Sequence, residues 1–176
     1  MYLARDMELG TFWAVKQLPL SMKKEAELLR RLNHSSLPRM TDYTEQDGKC
    51  YLVMEYIKGK SLNEYLKTNH LFSFEEILII TKTILQIFQY LHSQKPPIYY
   101  GDLKPENLMR TETGKIYLVD FGSALCSYGT VRKNIKGTKG YAAPEQYQGM
   151  LTAASDFYAL GKTIQQLCGR NIYPYY

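Results

Sequence analysis

Apolar positions keep one period in the first third of this chain and another in its middle. Residues 1–4 form a short apolar run, and Met7-Glu8-Leu9-Gly10 reads as a turn in which Gly10 can take a positive φ. Thr11-Phe12-Trp13-Ala14-Val15-Lys16 is rich in aromatic and β-branched residues, so the two runs predict a hairpin. Helical spacing follows. Ser21 can cap a helix, and Met22, Ala26, Leu29 and Leu32 then share one face until Asn33-His34 and Pro38 end the pattern. Residues 40–43 and 50–56 flank Gln46-Asp47-Gly48-Lys49, and an Asp-Gly pair between such runs predicts a second hairpin. Ile57-Lys58-Gly59 then loosens the chain.

The middle is helical. Ser61 with Glu64, and Ser73 with Glu76, each form a capping box. The first opens a short helix carrying Leu62, Tyr65 and Leu66. The second opens a long one, with Ile77, Ile80, Ile84, Ile87 and Leu91 as its core stripe, ending near His92 before Pro96-Pro97. His92 reads as a helix-end cap. Strands gathered in one part and helices in the next predict an α+β architecture of two lobes joined near Lys58-Gly59.

Composition narrows the classes. The 176 residues suit a single domain, and 45% apolar with 22% charged residues is ordinary for a globular one. A net charge of +5 suits polyanions, but no dense Lys/Arg block points to nucleic acid. Cys50, Cys126 and Cys168 are scattered, as reduced cytosolic thiols are. Arg5, Asp6 and Glu8 interrupt any leader, and no apolar run reaches the ~18 residues of a membrane span. The expectation is a cytoplasmic protein, with room for a tether outside this segment.

Candidate chemistry sits in Tyr99-Tyr100-Gly101-Asp102-Leu103-Lys104-Pro105-Glu106-Asn107-Leu108-Met109. An acid, an amine and a carboxamide stand at fixed offsets: Asp102, Lys104 and Asn107. Pro105 forbids a helix and biases Lys104 toward an extended backbone, which predicts a rigid loop presenting three polar heads. Asp120-Phe121-Gly122 follows the strand-like run Ile116-Tyr117-Leu118-Val119. Singly, Asp102 is a turn residue, Asn107 a cap and Lys16 a solvated strand end. Together and in this order they match the catalytic and metal-binding loops of the protein-kinase signature. The chain resembles a protein kinase, most closely the bacterial-type serine/threonine kinases.

That resemblance implies a division of labour. Asp102 would accept or orient the proton of the substrate hydroxyl, and Lys104 would reach the γ-phosphate of ATP. Asn107 and Asp120 would ligate Mg²⁺. Lys16, closing an Ala-Val-Lys string, would neutralise the other phosphates, held by Glu25 in preference to Glu27. Ala14 and Met109 would sandwich adenine, Met54 would be the gatekeeper, and hinge backbone at Glu55 and Ile57 would bond the adenine edge. Leu29, Met40, Tyr100 and Phe121 would stack as a column footed on Asp156. Thr138 would bond toward Asp102 and Lys104, favouring Ser/Thr acceptors in a protein substrate. Ser123, Ser127, Tyr128 and Thr130 are candidate phospho-acceptors, while Arg132, Lys133, Lys136 and Lys139 read as a solvated face.

The chain also departs from the family. Tyr100-Gly101-Asp102 replaces His-Arg-Asp, removing the Arg that pairs with a phosphorylated activation segment, so activity independent of that phosphorylation is expected. The glycine-rich loop and the later helices of the large lobe are missing, and Met1 stands where Val is usual. The expectation is therefore a partial kinase domain over residues 1–176, with 1–57 from the small lobe and 58–176 from the large one. Apolar faces meant for those helices would be exposed, with marginal stability as the result. The alternative is a non-catalytic, pseudokinase-like binding or scaffold module. A small-molecule kinase is disfavoured by Ala143-Pro144-Glu145 with Thr138.

Overall fold

The alternating first third folds as a four-stranded antiparallel sheet, ordered β1-β2-β4-β3, from β1 (Tyr2–Arg5), β2 (Phe12–Pro19), β3 (Met40–Gln46) and β4 (Lys49–Glu55). This is seen in a computed structural model that describes residues 1–20, 23–126, 131–132 and 137–169. Helix α1 (Lys23–Arg31) lies between β2 and β3 in the chain; the proposed cap Ser21 and the face residue Met22 lie outside the described residues. The β3–β4 turn is tighter than expected. Asp47 (φ 51°) and Gly48 (φ 70°) are both left-handed, as a two-residue hairpin turn requires, so Gln46 and Lys49 join the strands.

Both capping boxes form. Ser61 caps α2 (Leu62–Lys67) and Ser73 caps α3 (Phe74–His92), with Glu64 and Glu76 returning to the cap backbones. Ile80, Ile84, Ile87 and Leu91 of α3 are buried as the stripe predicts, with Phe88 beside them, while Ile77 at its start is only partly buried. Each such side chain contributes roughly 1.5–3 kcal/mol relative to leaving it exposed. The opposite face leaves Leu78, Ile79 and Leu85 exposed, as are Phe157 and Tyr158 of α5 (Ala153–Leu167).

Several short strands carry no visible period. β5 (Gly59–Ser61), β7 (Leu108–Thr111) and β8 (Ile116–Leu118) make one sheet, and β6 (Ile98–Tyr99) pairs β9 (Leu125–Cys126). Gly59 does not loosen the chain; it is in β5, where a Cβ would lie 2.3 Å from the Arg110 carbonyl oxygen, so strand pairing needs a glycine. Pro105 does not keep its loop wholly irregular either. It opens a 3-10 turn, Pro105–Asn107, at a first position where its missing N–H is harmless. β10 (Val131–Arg132) pairs β11 (Met150–Leu151), which follows the single turn α4 (Pro144–Tyr147). Leu52, Ile84, Phe88, Ile98, Leu103, Leu108 and Leu118 belong to one continuous core spanning both parts. Among the described residues no helix is long and apolar enough to cross a membrane.

Candidate active site

Strand alternation puts Ala14 and Lys16 on one face of β2, with Ala14 opposite Met54 of β4. The Lys16 ammonium lies 2.6 Å from Glu25 Oε1 and 2.7 Å from Asp120 Oδ1. Glu25 is buried on α1, whereas Glu27 faces solvent. Burial pulls the Lys16 pKa down, but hydrogen bonds and charge from Asp120 and Glu25 outweigh it and hold the ammonium above 10.5. Burial raises Glu25 above 4.5 despite Lys16. For Asp120 burial pushes upward too, yet Lys16 and the Gly122 amide hold the carboxyl below 3.8. Asp120 has φ 61°, rare for a residue with a Cβ, and its side chain is half-exposed.

The loop holding Asp102 hangs from α5. Asp156, fully buried, accepts the Tyr100 amide at 3.0 Å and the Gly101 amide at 2.8 Å. His92 is not a helix cap; Ser93 takes the C-cap position of α3. The His92 ring stacks on Phe88 and its Nε2 reaches Asp156 Oδ2 at 2.8 Å. The Tyr100 hydroxyl donates to the Val119 carbonyl at 2.6 Å, just before Asp120. Burial, then the Asp120 and Asp102 charges, raise its pKa far above 10.0, so it stays a neutral donor. Phe121 meets Tyr100 edge-on with ring centres 5.3 Å apart, Leu29 and Phe121 line the same cavity wall, and Met40 packs on that core.

Around Asp102 a closed set of hydrogen bonds forms. Thr138 donates its hydroxyl to Asp102 Oδ1 at 2.6 Å and its amide at 3.3 Å. Lys104 Nζ donates to Asp102 Oδ2 at 2.8 Å and to the Thr138 hydroxyl at 2.7 Å. Asn107 Nδ2 donates to the Asp102 carbonyl at 2.9 Å, and Val119 N donates to the Asn107 carbonyl at 2.9 Å, which links Asn107 to the Asp120 loop.

A cavity of about 160 Å³ lies beside Lys16. Ala14, Lys16, Glu25, Met54, Glu55, Ile57, Met109 and Asp120 all line it, whereas Lys104 and Asn107, expected at the γ-phosphate and its metal, do not. Met1, Pro38, Tyr56 and Val119 line it as well; Tyr56 and Val119 adjoin expected residues, the family resemblance singles out Met1, and no sequence signal points to Pro38. Asn107 and Asp120 fit a divalent hard cation: Asn107 spends its Nδ2 on Asp102, so its oxygen is the ligand atom available. No cluster of three or more His, Cys, Asp or Glu suited to a metal occurs among the described residues. A site of two protein oxygens is what Mg²⁺ uses when phosphates supply the remainder.

Ser127, Tyr128, Thr130, Lys133 and Lys136 lie outside the described residues; Lys139 is exposed. Three supports escaped sequence reasoning. Ser155 donates to Glu145 Oε1 at 2.7 Å, Leu151 packs on Gly101, and Gln146 is buried against the loop that carries Asp102.

The family model described as the protein kinase domain matches residues 1–175. Serine/threonine-protein kinase B of Synechocystis is 39% identical over 80% of this chain and 26% of its own length. Serine/threonine-protein kinase D of the same organism is 37% identical over 81% of the chain and 29% of its own. Serine/threonine-protein kinase PrkC of Bacillus subtilis is 32% identical over 95% of the chain and 28% of its own. The chain thus spans little more than a quarter of these relatives.

Proposed function

The chain belongs to the protein kinase family, and from that premise we propose that it transfers the γ-phosphoryl group of Mg-ATP to a Ser or Thr hydroxyl of a protein substrate. The observation that carries the reading is the bridge from Glu25 through Lys16 to Asp120, with Asp102 held by Thr138 and Lys104 alongside. Phosphoryl transfer asks a protein for placement and charge more than for covalent chemistry, and this constellation offers both.

In this reading the cavity takes the adenine between Ala14 and Met109, with Met54 at its back and the backbone of Glu55 and Ile57 at its edge. Lys16 neutralises the phosphates that are not transferred, and Glu25 keeps it aimed. Asn107 and Asp120 would hold Mg²⁺, whose charge offsets that of the phosphoryl oxygens. Asp102 orients the acceptor hydroxyl and takes its proton, while Lys104 faces the moving phosphoryl group. Residues 1–57 and 58–176 act as the two walls of the cleft, in a cytoplasmic setting. Because Gly101 carries no cation, activity does not depend on a phosphorylated activation segment.

The test is transfer of radiolabel from γ-labelled ATP to a generic basic protein. Transfer that Asp102→Asn abolishes is expected. Nucleotide binding with no transfer would instead make the chain a binding module.

A further inference from the structure

We propose that Gln146 is a positioning residue that sets the peptide-binding segment against the catalytic loop, and so fixes where an acceptor hydroxyl stands relative to Asp102. This rests on the phosphotransfer reading above. Gln146, on α4, is only 1% exposed. Both ends of its carboxamide are engaged with backbone. Nε2 donates to the Gly101 carbonyl at 2.8 Å, and Oε1 accepts the Ala143 amide at 2.9 Å. Gly137 also lies against it: a Cβ there would come within 3.0 Å of Nε2.

The sequence neighbours of these contacts give the amide its role. Gly101 immediately precedes Asp102, and Gly137 immediately precedes Thr138. Asp102 and Thr138 are themselves joined hydroxyl to carboxylate. Gln146 therefore holds the residue before Asp102 by a hydrogen bond and fills the space beside the residue before Thr138. The segment between is closed on itself, since the Tyr141 and Ala142 amides donate to the Thr138 carbonyl at 3.0 and 2.9 Å. A shift of the brace moves Thr138 and its neighbours as a unit relative to Asp102. Only a primary amide of this length supplies a donor and an acceptor in those two directions. An acid at 146 would turn an acceptor toward the Gly101 carbonyl, and an aliphatic chain would leave both backbone groups unpaired.

A purely structural glutamine would also satisfy two buried backbone groups, so the test separates the roles. Gln146→Glu keeps the shape and inverts the donor; Gln146→Met keeps the length and removes both bonds. Transfer to a Ser-containing peptide is compared with hydrolysis of ATP by water, which needs the nucleotide site but no peptide. The expected result is a loss of roughly tenfold or more in kcat/KM for the peptide. KM for ATP and the hydrolysis rate should stay within about twofold of wild type, because the nucleotide contacts are untouched. Amide exchange at Ala143 should quicken in both variants. Loss of both activities in step, an unchanged peptide kcat/KM, or failure of both variants to fold overturns the proposal. If the wild-type chain transfers nothing, the parent reading falls instead, and this one with it.

Discussion

Gly101 sits where the family resemblance places an arginine, and the cost of any side chain there can be worked from its surroundings. Its φ is 79°. An L-residue held in the left-handed region costs roughly 1–2 kcal/mol. A methyl group at 101 would also meet Leu151 Cδ2 at 2.9 Å, the Ser123 carbonyl at 3.3 Å and Leu151 Cδ1 at 3.4 Å. Leu151 is fully buried, so it has no solvent to swing into, and overpacking of this kind costs about 1–3 kcal/mol. Gly101→Ala should therefore destabilise the fold by roughly 2–5 kcal/mol, a large share of the ~5–15 kcal/mol by which domains are stable. Urea unfolding should show a lower midpoint at an unchanged slope. Leu151→Ala alone should cost about 2–5 kcal/mol through its cavity. The double variant should cost less than the sum, by the ~1–3 kcal/mol that the removed clash represents. A Gly101→Ala change within about 0.5 kcal/mol of wild type, or strictly additive costs, would refute the packing argument. It would also reopen space for a basic side chain, and with it control by a phosphorylated loop.

Two further outcomes are expected. Lys16→Met should raise the titration of both Glu25 and Asp120, read by carboxyl NMR, because each loses its cationic neighbour. The signs differ for stability. Asp120, held low, contributes stability present above its ordinary value of 3.8 and lost as pH falls through its lowered one. Glu25, held high, loses stability as pH rises through its raised value, and Lys16 contributes until pH passes its own raised value, above 10.5. An unmoved Glu25 would show that Lys16 does not hold it. Asp156→Ala should cost about 3–5 kcal/mol in the same urea assay, since the Tyr100 and Gly101 amides and His92 all lose their partner. A cost under about 1 kcal/mol would mean that the loop is held by other contacts.

What the sequence makes legible is whatever a short-range signal encodes. Both capping boxes form where Ser and Glu stand three apart, and the α3 stripe is buried because its spacing matches one helix face. Glu25 stands correctly against Glu27 because two residues carry a helix about half a turn round, leaving one inward and the other outward. The short strands β5, β7 and β11 are invisible for the opposite reason: two to four residues carry no period, and only their partners make them strands. His92 is misread because its partner, Asp156, is 64 residues away. Gln146 and Ser155 look like ordinary polar residues until the fold places Gly101 and Glu145 against them.

Those distant polar contacts also explain how the site keeps its shape. Most protein cores bury few polar side chains, and here Asn107, Gln146, Ser155 and Asp156 are all buried under or beside one loop. Asn107 and Asp156 bond the backbone of that loop, so Asp102 is located by main-chain anchors and not by its own side chain alone, while Gln146 ties the loop to the segment facing it and Ser155 holds Glu145. On the far side, Asp120 keeps an unfavourable left-handed backbone while Tyr100 holds the preceding carbonyl and Lys16 its carboxylate. A reaction governed by distance and charge has more need of such a frame than of reactive groups. The burial of amides and an acid beneath Asp102, where packing alone would prefer leucine, supports the phosphotransfer reading proposed above.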